Sequence, residues 1–164
     1  MVRTKVFGMA LDETNQAPIL ILKNEQEAMV LPIWIGAVEA MSITMALNKI
    51  PFPRPMTHDL LLSVINTLGG VINQVQVTDI EDGTFFAEMV VLQDGEELRI
   101  DCRPSDAIAL AVRGDTPIFV NLDVLKTAGV SEDSLKQKVV RSEDSDKWKE
   151  LLDSMDEDDA KYKM

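Results

Sequence analysis

Two residue types that serve most metal and redox chemistry are nearly missing from this 164-residue chain, which holds one cysteine and one histidine. Cys102 has no partner for a disulfide within the chain, and one Cys with one His cannot close a tetrahedral zinc site. No charged, apolar, small-residue signal opens the sequence, so the expectation is a reduced, cytoplasmic protein. No apolar run reaches the roughly 20 residues of a membrane span, and the best candidate, AVEAMSITMAL, is too short. There is no Walker loop, dinucleotide fingerprint or G-x-S-x-G elbow, so nucleotide-fuelled chemistry, redox cofactors and a hydrolase triad lack sequence support. Basic side chains are also scarce, 16 against 28 acidic ones, for a formal charge of −12. Broad attraction to polyphosphate depends on Lys and Arg displacing counterions, so any phosphate contact has to be local. Residues 1–130 carry 9 basic and 17 acidic groups and residues 131–164 carry 7 and 11, so removing the tail would not make the rest basic.

What is present is a regular succession of elements. TKVFGMAL, APILILK and AMVLPIWI read as three strands joined by polar turns. GAVEAMSITMALNK follows as a helix apolar on nearly every side, which suits burial between layers or against a second subunit. IPFPRP stops it, because alternating prolines deny helical geometry to the residues before them. THDLLLSVINTLGG restarts a helix with Thr57 as N-cap, an inward stripe of Leu61, Val64, Ile65 and Leu68, and Gly69-Gly70 as terminator. VINQVQVTDI, TFFAEMVVL and EELRIDC give three more strands linked by EDG and QDG turns. RPSDAIALAVRGD is again helical and PIFV is a short buried strand. Residues 1–130 thus form one domain. Residues 131–164 form an acidic extension, expected to hold one helix docked through Trp148, Leu151 and Leu152 before a disordered end.

Three strands and a helix occur twice. Setting Glu39-Ala40 on Asp106-Ala107 brings IGAVEAMSI over CRPSDAIAL, and both halves read hairpin, third strand, helix with an early acid. The expected fold class is α+β, with antiparallel β-sheets, a duplicated β-β-β-α unit and helices packed on the sheets.

Two junctions, RPMTHD and RPSD, share a pattern of arginine, proline, hydroxyl residue and acid at a helix start. Helix N-termini attract phosphate, and an arginine adds a bidentate fork to the same anion, which makes Arg54 and Arg103 candidate phosphate ligands with Thr57 and Ser105 beside them. His58, Asp59, Asp106 and Glu39 are candidate catalytic groups, and Asp59, Asp101 and Asp106 are candidate ligands of a divalent cation such as Mg or Mn. Simpler roles fit the same positions. Asp59 and Asp106 complement the helix dipole, Thr57 and Ser105 suit caps better than nucleophiles, and Glu39 reads either as a back-reaching cap or as a buried carboxylate. Cys102 reads as a small apolar filler.

LPIWIGAVEA, FPRPMTHDLL and RPSDAIALAVR, in this order and separation, resemble the bifunctional nuclease family over about residues 3 to 130. The resemblance implies a compact domain built on antiparallel strands, a homodimer, and action on both DNA and RNA. It marks Glu39, Arg54, Thr57, His58, Asp59, Arg103, Ser105 and Asp106 as family-pattern positions. The tail lacks the pattern of the excision-repair module that some relatives carry. The leading expectation is a metal-assisted nuclease acting on short or single-stranded nucleic acid. The alternative is a noncatalytic dimeric module that recognises a small anion or a protein partner.

Overall fold

The computed structural model describes residues 1–12, 14–26, 28–136 and 139–141. Strands β1 (Val2–Asp12), β2 (Pro18–Asn24) and β3 (Met29–Trp34) form an antiparallel meander that leads into α1 (Ala37–Leu47). After the proline-rich link comes α2 (Thr57–Thr67). A second meander, β4 (Val71–Glu81), β5 (Thr84–Gln93) and β6 (Glu96–Cys102), leads into α3 (Pro104–Gly114). Strand β7 (Ile118–Val120) then slots between the meanders, antiparallel to β1 and parallel to β4. The result is one sheet in the order β6-β5-β4-β7-β1-β2-β3-β8. Helix α4 (Leu122–Ala128), β8 (Val130–Ser131), α5 (Glu132–Lys136) and β9 (Val139–Arg141) complete the described chain, with β8 on β3 and β9 on the far end of β1. The fold is α+β, and its two β-β-β-α units join edge to edge through β7.

Local chemistry accounts for these elements. The two hairpins of the second meander turn on Asp82-Gly83 and Asp94-Gly95, with φ of 48° and 80°, then 51° and 84°. Two-residue turns need both centres left-handed to match the twist of the strands. Strand β2 is buried on both faces, its alternating side chains entering two different apolar clusters. Leu20 and Leu22 enter the main core, while Ile19 and Ile21 join a smaller cluster with Ala10 and Val30. Ala107 to Ala111 of α3 are all buried as the helix packs on β4 and β5, and both α1 and α2 pack on α3.

Two expectations for α2 are corrected. Its inward residues are Leu62 and Ile65, whereas Leu61, Val64 and Leu68 are exposed. The helix rests on α3 and β4, so a narrow stripe suffices to dock it. Its N-cap is Met56, with Thr57 one residue inside, because the Asp59 carboxylate reaches back to accept from the Met56 N–H at 2.9 Å. That bond satisfies the helix entry whichever side chain precedes it. Helix α1 fully buries only Ala40 and Ile43 and leaves Val38 and Leu47 exposed. The helix expected around Trp148 lies outside the described residues. Among the described residues no helix is long and apolar enough to cross a membrane.

Candidate functional site

Each of the three long helices carries an acid at its third position: Glu39 in α1, Asp59 in α2 and Asp106 in α3. Pro104 at the first position of α3 holds Arg103 in an extended conformation as the N-cap. The guanidinium then binds two of these acids. Nε and Nη2 donate to Asp106 at 2.7 and 3.1 Å, and Nη1 donates to Glu39 at 2.9 Å. Gly36 makes room for this arrangement, because a Cβ there would strike the Glu39 carboxylate, which folds back over the backbone. Asp106 and Glu39 together raise the pKa of Arg103 above the ordinary arginine value.

His58, second residue of α2, bridges the helices. Its Nε2 lies 3.1 Å from Asp106 Oδ1 and its Nδ1 lies 2.9 Å from Ser42 Oγ on α1. Burial works against ionisation of Asp106, but hydrogen bonds from Arg103 and His58 outweigh it and hold the carboxyl below its usual range. An ionised carboxylate only accepts, so Nε2 carries a hydrogen, and in the neutral form of the ring the Nδ1 lone pair then accepts from the Ser42 hydroxyl. Ser42 Oγ in turn accepts from Arg113 Nη2 at 3.1 Å. Arg113, near the end of α3, also donates Nε to Asp59 at 2.6 Å, Nη1 to the Ala109 carbonyl and Nη2 to the Ser42 carbonyl. For Asp59 burial again opposes ionisation most, and the Arg113 and Met56 hydrogen bonds overcome it to lower its pKa. One unbroken chain therefore runs Glu39–Arg103–Asp106–His58–Ser42–Arg113–Asp59.

This chain borders a cavity of about 240 Å³ whose wall includes Ser42, His58, Asp106 and both arginines, with apolar cover from Val38, Met45 and Phe52. Arg113, Met45 and Phe52 also border a neighbouring cavity of about 700 Å³, where Asn66 and Lys49 supply polar groups. Apolar walls strengthen charge interactions at the polar floor. The local balance is three carboxylates against two guanidiniums. Arg103 is the exposed cation, with its side chain 66% exposed, whereas the Arg113 side chain is 10% exposed.

Of the residues singled out in the sequence, Glu39, His58, Asp59, Arg103 and Asp106 meet in this network, and Thr57 lines the smaller cavity. Arg54 is exposed and borders neither cavity. Ser105 is buried at 6% exposure beneath the start of α3, and Asp101 stands on β6 opposite Glu88, away from both cavities. The two Arg-Pro corners therefore meet through His58 and Asp106, not through their arginines. Ser42 and Arg113 escaped sequence reasoning. Their signal was helical spacing, since Ser42 follows Glu39 by one turn and Arg113 follows Asp106 by two. Among the described residues no three His, Cys, Asp or Glu side chains are arranged to hold a metal ion. Asp59 and Asp106 spend their oxygens on guanidinium, imidazole and amide donors, so the donor set expected for Mg or Mn is not assembled here. Cys102 donates to the Ala87 carbonyl at 3.6 Å, and burial pushes its thiol up to about 11, as an inert filler requires.

The chain matches the family model described as the bifunctional nuclease domain over residues 20–133, a span that contains the whole network. It is 34% identical over 165 residues to an uncharacterized protein of Mycobacterium tuberculosis, covering 98% of this chain and 99% of that one. It is 30% identical over 113 residues to bifunctional nuclease 2 of Arabidopsis thaliana, covering 65% of this chain and 34% of the relative. Bifunctional nuclease 1 of Oryza sativa subsp. indica is 26% identical over 115 residues, 68% of this chain and 35% of the relative. The match thus spans about a third of these plant proteins' length.

Proposed function

We propose that this chain, which belongs to the bifunctional nuclease domain family, hydrolyses phosphodiester bonds in DNA or RNA at the His58 network. The observation that carries this reading is the bonding of His58, whose two ring nitrogens are both engaged at the edge of a cavity that two guanidiniums also border. Asp106 holds the Nε2 hydrogen and stabilises the imidazolium that forms when Nδ1 takes a proton from the attacking group. The same nitrogen then returns the proton to the leaving oxygen. Arg103, exposed and held by carboxylates that a substrate phosphate can replace, turns onto the phosphate. Arg113 stays fixed and offsets charge developing near Ser42.

The charge balance selects the substrate. A formal charge of −12 and a local excess of carboxylate give long duplexes no extended basic track, so short or single-stranded nucleic acid is the fitting class. No step is routed through a divalent cation. The test uses freshly purified full chain on single-stranded DNA and RNA oligonucleotides, with and without chelator, beside His58→Ala. Cleavage is expected to fall about 10²-fold or more in His58→Ala while the circular dichroism spectrum and Tm persist. Equal cleavage by that variant overturns the reading. Loss of cleavage in chelator alone returns a cation to Asp59 and Asp106.

A second reading, a noncatalytic dimeric module for a small anion or protein partner, is favoured by one observation. Val38 and Leu47 of α1, Phe52 of the link and Leu60 and Leu68 of α2 are all exposed, more apolar surface than an isolated helix pair needs. Light scattering that returns the mass of one chain removes it.

A further inference from the structure

We infer that Ser42 is the nucleophile of this site, with His58 as its base and Arg113 as the cation that stabilises its alkoxide. The inference rests on the phosphodiesterase reading and deepens it. Inside a helix a serine hydroxyl commonly folds back onto the carbonyl one turn earlier. The Ser42 hydroxyl instead bonds across to two other helices, at 2.9 Å to Nδ1 of His58 and 3.1 Å to Nη2 of Arg113. A serine is a weak nucleophile until a neighbouring base takes its proton and a third group orients that base. Here the base presents a lone pair to Oγ, and Asp106 fixes the opposite nitrogen at 3.1 Å. The usual assignment of ring nitrogens in such triads is reversed, with serine on Nδ1 and carboxylate on Nε2. The proton path is the same.

Arg113 supplies what hydrogen bonding to the base alone does not. Its Nη2 reaches the hydroxyl oxygen and the carbonyl of the same residue, while Asp59 and the Ala109 carbonyl hold the rest of the guanidinium. A cation fixed this way favours Oγ as alkoxide and stays in place as phosphorus approaches. Ser42 also lines the cavity, next to Met41 and Met45, so a substrate phosphate can reach it.

The chemistry balances with water as the sole co-reactant. Ser42 gives its proton to Nδ1, the Oγ–P bond forms, the ester P–O bond breaks and the departing oxygen takes the proton from Nδ1. A water then gives a proton to Nδ1 and bonds to phosphorus, the P–Oγ bond breaks, and Oγ recovers the proton. The products are one strand with a terminal phosphate monoester and one with a hydroxyl. Because the protein provides the attacking oxygen, the 2′-hydroxyl of ribose is not needed, and DNA and RNA are cleaved alike.

Two in-line displacements give net retention at phosphorus, whereas direct attack by water gives inversion. Full-length protein is incubated with an oligonucleotide holding one stereodefined phosphorothioate in isotopically labelled water, and separately with a fluorophosphonate probe. Retention, probe attachment at Ser42 by mass spectrometry, and loss of both in His58→Ala are expected. Ser42→Ala is expected to lose about 10³-fold or more of the cleavage rate with its Tm intact. Cleavage with inversion, or cleavage by Ser42→Ala within tenfold of the parent, overturns the nucleophile and leaves the nuclease reading standing. Probe attachment at Ser42 in a protein that cleaves no oligonucleotide upholds the nucleophile and overturns the nuclease reading. Neither attachment nor cleavage overturns both.

Discussion

At the scale of single residues, Asp106 is the acceptor that ties Arg103 to His58. It accepts from Nε and Nη2 of Arg103 and from Nε2 of His58, and all three partners can only donate while His58 keeps its present tautomer. Asparagine at this position offers one acceptor oxygen and one NH₂ group. Turned toward His58, the NH₂ forces the hydrogen onto Nδ1, where it points at Ser42 and removes the base. Turned toward Arg103, it sets donors against donors. Asp106→Asn is therefore expected to lower kcat on oligonucleotides about 10³-fold or more with a far smaller change in KM. A kcat within tenfold of the parent would show that the tautomer does not matter. Sequence reasoning found this residue as a helix-start acid and could not tell capping from chemistry, because both use the same carboxylate; in the structure that carboxylate goes to the Arg103 guanidinium and the His58 ring rather than to a backbone N–H of the helix start. It also paired Arg54 with Arg103 on a shared motif. The equivalence fails, since Arg103 is itself the N-cap of α3 while Arg54 stands exposed two residues before the Met56 N-cap of α2, and Arg113, without a motif, is the second cation of the network.

At the scale of elements, what was legible followed from local rules. The Asp-Gly turns, the Gly69 terminator with φ of 85° and the Arg-Pro helix start were all readable because a few neighbouring atoms decide them. The repeat was readable for the same reason, and the alignment of Glu39 with Asp106 acquires a physical sense in the shared grip on Arg103. The inward face of α2 was not readable, because LLLSVI is apolar in several directions and only packing on α3 chooses Leu62 and Ile65. Ser42 and Arg113 stayed hidden because their partners lie 16 and 71 residues away respectively. Helix α1 holds a further oddity. The Thr44 hydroxyl is buried without a hydrogen-bond partner among the described residues, a desolvation cost that nothing repays. Thr44→Val keeps the shape and removes the hydroxyl, so it is expected to raise stability by about 1 kcal/mol, or Tm by about 2–4 °C. A lower Tm in thermal melts would mean that the hydroxyl has found a water or a partner in solution.

At the scale of the whole molecule, two electrostatic trends oppose each other as pH changes. The chain carries 28 acidic and 16 basic side chains, so at neutral pH self-repulsion works against the compact state, and mild acidification relieves it. Asp59 and Asp106 act the other way. Both have folded pKa values below the ordinary 3.8, so the folded chain binds fewer protons than the unfolded one between those values. Their stabilisation is fully present above 3.8 and is lost as pH falls through the folded values. Tm is therefore expected to climb from pH 8 to a maximum near about pH 5 and to drop steeply below about pH 4. Salt separates the two limbs. At about 1 M ionic strength the Debye length is roughly 3 Å, which flattens the neutral limb made by exposed charges and spares much of the acid limb made by hydrogen-bonded pairs. Asp59→Asn separates them from the other side. It lowers Tm at neutral pH by leaving Arg113 without its carboxylate, and it makes the acid limb shallower, because one of the depressed carboxylates no longer titrates. Circular dichroism melts from pH 3 to 8 at two salt concentrations read all of this at once. An acid limb of equal steepness in parent and variant would assign acid unfolding to carboxylates elsewhere and detach the stability of the fold from the network that holds its candidate site together.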